Sequence, residues 1–271
     1  MKIARLLSTT ATAIVLGTSA SYATFTTFEA TGANPAGITP TRDAFRLTIG
    51  GGVVGGANGS FGGVRREINW DGVPDARADS NLLPANFFNT NSPRGAVFST
   101  PGTGFLVSAN AGGATPILFG FPNDFQTFSA QRLFTAVGSN IVDVSFFVPG
   151  TGIAATTSAF GLIFTDVEIA GDTKMEFFDA SNSLLYTRDA LVSGNQGLTF
   201  LGAAANAGEQ ISRVRITSGR NSITANGVLG NPIDDVVVMD DFLYAEPTAV
   251  PEPTTALFGL ALFGLAATRR R

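Results

Sequence analysis

The sequence predicts an all-β body, a jelly-roll-like sandwich of two sheets, with a cleavable signal helix before it and a short transmembrane helix after it. Phenylalanine and glycine are abundant, at 23 and 32 of 271 residues; the first favours strands and the second the turns between them. Short apolar or alternating runs recur with Gly, Pro, Asn or Asp between them, as in sandwiches and barrels. No stretch of the body keeps a helical period for three turns with helix-forming residues. A closed barrel is the alternative to the sandwich.

The chain opens with MKIARLLSTTATAIVLGTSASYA. Lys2 and Arg5 form a short basic region, Ala11 to Leu16 an apolar one, and Ser21 and Ala23 supply small residues before a cleavage point. That is the layout of a secretory signal peptide over residues 1–23, cut after Ala23 or, as the second choice, Ala20. The apolar stretch is too short for an ordinary membrane span.

Strands are then expected in order. Phe25 to Phe28 come first. In Ala44 to Ile49, Phe45, Leu47 and Ile49 alternate with Arg46 and Thr48. A glycine-rich loop, Gly50 to Gly63, has few side chains large enough to pack, and Val64 to Ile68 resume a strand. Ala96 to Phe98 and Phe105 to Ser108 flank a Pro101-Gly102 turn, and Ile117 to Phe119 is short. Ile141 to Val148 ends at Pro149-Gly150, and Phe160 to Ile169 at Ala170-Gly171. Lys174 to Phe178 and Leu184 to Thr187 form a hairpin through Asp179 to Ser183. Leu198 to Leu201, Ile211 to Thr217 and Val236 to Tyr244 complete the set. The alternation in Arg213-Val214-Arg215-Ile216-Thr217 implies one wet face. No linker divides the body, so residues 24–247 are expected to form one domain.

The tail, residues 248–271, contains VPEPTTALFGLALFGLAATRRR. Pro251-Glu252-Pro253 is a stiff, extended, charged break. The apolar run Thr254 to Thr268 follows, and Arg269, Arg270 and Arg271 close the chain. As a helix the run spans about 22 Å, thin for a hydrocarbon core of about 30 Å. The arginines are held on the cytoplasmic side, which puts the body across the membrane. The order of tripeptide, short apolar helix and arginine cluster resembles the PEP-CTERM sorting signal of Gram-negative bacteria that make exopolysaccharide. The resemblance implies a partner, the membrane protease-transpeptidase called exosortase. It also implies that Pro251, Glu252 and Pro253 are the recognition element and Arg269 to Arg271 the retention tail. AFGLIFTDVEIAGDTKMEFFDASNSLLY (Ala159 to Tyr186) and VVVMDDFLYAEP (Val236 to Pro247) likewise resemble the sandwich core and last strand of such exported proteins, similar in outline to carbohydrate-binding sandwiches.

Composition narrows the chemistry. There is no cysteine, so export brings no disulfide, and no histidine, which removes the commonest general base and zinc ligand. Five of the 17 basic residues and one of the 21 acidic ones lie in the two ends. The body therefore holds 12 basic and 20 acidic residues, a net charge of −8. That balance argues against a nucleic-acid partner. It is compatible with Ca²⁺ binding and equally with plain solubility.

Three acidic groups offer sites. Asp71, Asp75 and Asp79 stand in NWDGVPDARAD (Asn69 to Asp79), a turn that either converges on Ca²⁺ or is simply capped and solvated; the spacing is not that of an EF-hand. Trp70 is a core anchor or, if exposed, a platform for a sugar ring. Asp234-Asp235 precede Asp240-Asp241, and on a regular strand the last two point to opposite faces unless a bulge intervenes. In lectin-like sandwiches Ca²⁺ often sits where first and last strands meet, which makes Glu29 and Asp241 a pair to inspect. Asp166, Glu168, Asp172, Glu176 and Asp179 could supply two carboxylates for glycoside hydrolysis, although nothing in the sequence raises a pKa there. The leading expectation is a non-enzymatic surface or matrix protein, structural or adhesive, associated with exopolysaccharide and held in the inner membrane before processing. The alternatives are a calcium-dependent carbohydrate-binding module and, more remotely, a carboxylate glycosidase.

Overall fold

The computed structural model describes residues 23–52, 56–109, 117–223 and 234–250. The signal segment up to Tyr22, the helix expected at Thr254 to Thr268 and the motif residues Pro251 to Pro253 and Arg269 to Arg271 lie outside them. Among the described residues no helix is long and apolar enough to cross a membrane.

The body is two stacked antiparallel sheets. In the larger, β1 (Phe25–Gly32), β12 (Leu198–Ala205), β9 (Ala159–Thr165), β14 (Val238–Ala245), β3 (Arg65–Ile68) and β2 (Ser60–Phe61) follow in that order, and β6 (Phe134–Val137) joins β14 and carries β5 (Gly104–Val107). The smaller runs β11 (Leu184–Asp189), β10 (Lys174–Phe178), β13 (Arg213–Thr217), β7 (Ile141–Phe146) and β4 (Ala96–Ser99). A two-stranded patch pairs β15 (Thr248–Ala249) with β8 (Ala155–Thr156). This corrects the jelly-roll expectation. A jelly roll divides eight strands between two sheets, whereas here the described sheets hold eight and five strands, and neither closes into a barrel.

The main core fills the space between the sheets. Phe160, Leu162 and Phe164 of β9 meet Phe98, Val144, Phe146 and Val214 from the opposite sheet. Trp70 stacks flat on Phe134 at 4.1 Å between ring centres and stands edge-on to Phe88 and Phe242. β13 buries Val214 and Ile216 and leaves its arginines half-exposed, the expected single wet face.

The central strands β12, β9 and β14 of the larger sheet are buried on both sides almost throughout, and a helix covers part of its outer face. α1 (Pro35–Thr48) lies over β1 and β12. The strand expected at Ala44 to Ile49 is therefore corrected to the end of this helix, and the body is not free of helices. The alternation of Phe45, Leu47 and Ile49 misleads: Leu47 is 72 % exposed, while Ile38, Phe45 and Ile49 are buried at helical spacing. Asn34 caps the N-terminus by accepting from the Ala36 N–H, and Pro35 sits at the first helical position, where its missing N–H costs nothing. Gly37, Pro40 and three threonines make a poor intrinsic helix, so packing holds it in place. Phe45 enters a hollow made by Gly161 and Gly202; a Cβ on either would stand 3.0 Å from its ring.

Further differences are local. Ile117 to Phe119 runs into a 3₁₀ turn, Leu118–Gly120, and α2 (Phe87–Thr90) is a single helical turn. β9 stops at Thr165, because Asp166 takes φ = 74° and breaks the ladder.

Candidate functional site

The site begins with an irregularity in β14. Met239 pairs with Phe164, but Phe242 pairs with Leu162, so Asp240 and Asp241 together oppose one residue of β9. This is a β-bulge, and it releases the two aspartates from strict alternation. Both reach Ser129, whose hydroxyl lies 2.7 Å from Asp241 Oδ1 and 3.3 Å from Asp240 Oδ1. Asp240 also accepts from the Phe128 N–H at 2.6 Å, and its carbonyl accepts from Trp70 Nε1 at 3.0 Å. The carboxylates are 0 % and 5 % exposed. Burial, then the charge of Asp241, pushes Asp240 well above the usual carboxylate range. Burial also raises Asp241, with the Ser129 hydrogen bond and Arg42 opposing.

Beside the bulge, α1, β3 and the 128–129 loop enclose a polar cleft of about 400 Å³. α1 contributes Arg42 and Arg46 one turn apart, and β3 contributes Glu67. Arg46 grips Glu67 through two bonds, Nε to Oε1 at 2.7 Å and Nη2 to Oε2 at 2.6 Å. Arg65, fully buried beneath, lies 2.9 Å from Glu67 Oε1 and donates to the Gly51 and Gly52 carbonyls at 2.5 and 2.9 Å. Arg42 extends over Phe128, 4.7 Å from the ring centre, with its Nη1 3.9 Å from Asp241 Oδ2. Arg94, from the loop before β4, lies over Phe88 and donates through Nε to the Glu67 carbonyl at 2.8 Å. Asn69 and Phe61 complete the rim. Sequence reading did not find these arginines; their only linear signal is the pair Arg42 and Arg46 at helical spacing.

The acidic residues singled out from the sequence are mostly engaged with protein donors. Asp71 Oδ1 accepts from the N–H groups of Gln131 and Arg132, at 2.6 and 3.1 Å, and Asp75 pairs with Arg132. Together with Asp240 and Asp241 they fasten the 128–132 loop. The Asp79 N–H donates to the Val107 carbonyl, and burial raises its carboxyl. Glu29 does not meet Asp241: β12 and β9 separate β1 from β14, and Glu29 instead grips Arg188 at 2.6 and 2.9 Å. Asp166 accepts from the Gln196 N–H, Asp172 pairs with Arg220, and Asp179 caps the β10–β11 turn through the N–H groups of Ser181 and Ser183. Glu176 pairs across the ladder with Arg215. Among the described residues no group of three or more acidic side chains is arranged to hold a metal ion. Trp70 and Tyr244 are buried in the core, so neither offers a face for a sugar.

Residues 249–271 match the PEP-CTERM protein-sorting motif. No curated protein and no solved structure matches the chain. The motif begins at Ala249, the last residue of the short β15, after the last main strand, β14, has ended at Ala245, and the chain thus carries a protein-sorting motif at the end of a β domain.

Proposed function

We propose that this is an exported surface protein whose C-terminal motif delivers it to an exosortase, and whose β body then serves a structural or adhesive role in the extracellular matrix. The observation that carries this reading is the sorting motif at 249–271, set against where the body begins and ends. β1 starts at Phe25, after the expected signal cut, and β15 ends at Ala249, before Pro251. A cut at the tripeptide Pro251-Glu252-Pro253 leaves every described strand in place, although the matched motif begins at Ala249, inside β15. The start of the body also suits a newly made terminus. The Thr24 nitrogen lies 2.6 Å from Glu209 Oε1, so a cut after Ala23 would set an α-ammonium on a carboxylate.

In this reading the signal peptide starts export, the apolar tail stalls in the inner membrane, and Arg269 to Arg271 resist crossing because charge is costly in hydrocarbon. Pro251-Glu252-Pro253 is then presented, extended, to the processing enzyme. Glu252→Ala in the native host tests it by cell fractionation. Full-length protein should accumulate in the inner membrane while the surface fraction loses the body. Unchanged surface delivery of the variant would refute recognition at the tripeptide.

A further inference from the structure

The cleft beside the bulge is charged unlike the rest of this acidic body. Arg42, Arg46 and Arg94 line it and Arg65 lies directly beneath, against the carboxylates of Asp43, Glu67 and Asp241. The four guanidinium groups at and beneath the cleft outnumber those three carboxylates by one; Asp240, fully buried, does not line it. Arg42 is the group with capacity to spare. Its side chain is 11 % exposed, Nε is taken by Asp43 at 2.7 Å, and the 3.9 Å from Nη1 to Asp241 is too long for a hydrogen bond. Its two terminal nitrogens make no hydrogen bond among the described residues, and they end at the cleft.

The lining also limits what that charge can receive. A volume of about 400 Å³ falls in the range of small-molecule sites, about 300–1,000 Å³, and greatly exceeds an inorganic anion. Glu67 and Asp241 would repel a compact polyanion, but they accept from hydroxyls. Asn69 and Ser129 can both donate and accept, and Phe61 and Phe128 add apolar faces. The ligand that satisfies this set is monoanionic, rich in hydroxyls and partly apolar.

We propose that this cleft binds an acidic sugar of the uronic-acid class, its carboxylate taken by the free fork of Arg42 and its hydroxyls by Glu67, Asn69 and Ser129. A guanidinium fork matches a carboxylate in shape as well as charge. The site stands independently of how the protein is exported.

The test is calorimetric titration of the full chain, held in a zwitterionic detergent without sugar groups, with glucuronate, its uncharged methyl ester and inorganic phosphate. Glucuronate should bind about tenfold or more tighter than the ester, the size expected for losing one charge-assisted contact. Arg42→Lys keeps the charge but loses the fork and should weaken glucuronate by a similar factor. Asn69→Ala alters an exposed rim residue whose amide also donates to Asp71 at 3.2 Å; it should weaken binding with little change in the melting temperature. Equal affinity for acid and ester, or no saturation by glucuronate at tens of millimolar, would overturn the site. Phosphate binding as tightly as glucuronate would overturn the sugar assignment.

Discussion

Asp166 ends β9 in the left-handed region, at φ = 74°, and is 4 % exposed. Burial, reinforced by Glu168, Asp124 and Asp235, raises its pKa from 3.8 to about 7, although the Gln196 N–H opposes the shift. A carboxyl raised in the folded state binds more protons folded than unfolded, so its stabilising effect is complete below the unfolded value and is lost as pH climbs through the folded one. For Asp166 the window runs from about pH 4 to about pH 7. Asn tolerates this backbone and keeps an oxygen for Gln196 while removing the charge. Asp166→Asn should therefore melt at the same temperature as the parent near pH 4 and at a higher one at pH 8, measured by thermal unfolding across that range. A constant difference, or none, would contradict the assignment. Asp240 and Asp241 titrate in the same sense. Sequence reading identified all three aspartates but not their shifts, because the shifts come from burial by segments far away in the chain.

At the scale of elements, α1 docks through Ile38, Phe45 and Ile49, with the Phe45 ring set in one hollow of the sheet. Phe45 touches Phe28 and Phe200 at 5.4 and 5.6 Å between ring centres and faces Gly161 and Gly202 across the sheet. Phe45→Ala should cost about 3–5 kcal/mol as a large-to-small core change. Gly161→Ala should cost about 1–3 kcal/mol by overpacking, since its Cβ would sit 2.9 Å from Gly202 Cα. Urea unfolding midpoints measure both; a neutral Gly161→Ala would show that the helix rides loosely over the sheet. The β10–β11 hairpin was legible because its turn is local: Asp179, Asn182 and Ser183 fall within five residues, and their bonds close inside that stretch. α1 was not, because Pro40 and Gly37 hide a helix whose cap, Asn34-Pro35, is its clearest local sign. The bulge at Asp240-Asp241 was foreseen only as the condition under which both aspartates could serve one face. The cleft itself joins residues 42–46, 61–69, 94, 128–129 and 241, a convergence that no single stretch of sequence displays.

For the whole molecule, the ends and the body are legible for different reasons. The sorting tail is one contiguous stretch, residues 249–271, and matches a known motif as a linear string. The body carries its information in pairing across the chain. Phe25 pairs with Ala205 and Ala245 with Arg65, and such long-range pairing sets a topology that strand spacing alone did not distinguish from a jelly roll. In the proposed function, this folded body is exported and then separated from its tail. The direct measurement is mass spectrometry of both terminal peptides from protein recovered at the surface of its own host. Mature chains should begin near Thr24 and end between Val250 and Pro253. Surface protein that still carries Arg271 would contradict processing and leave a permanently anchored chain.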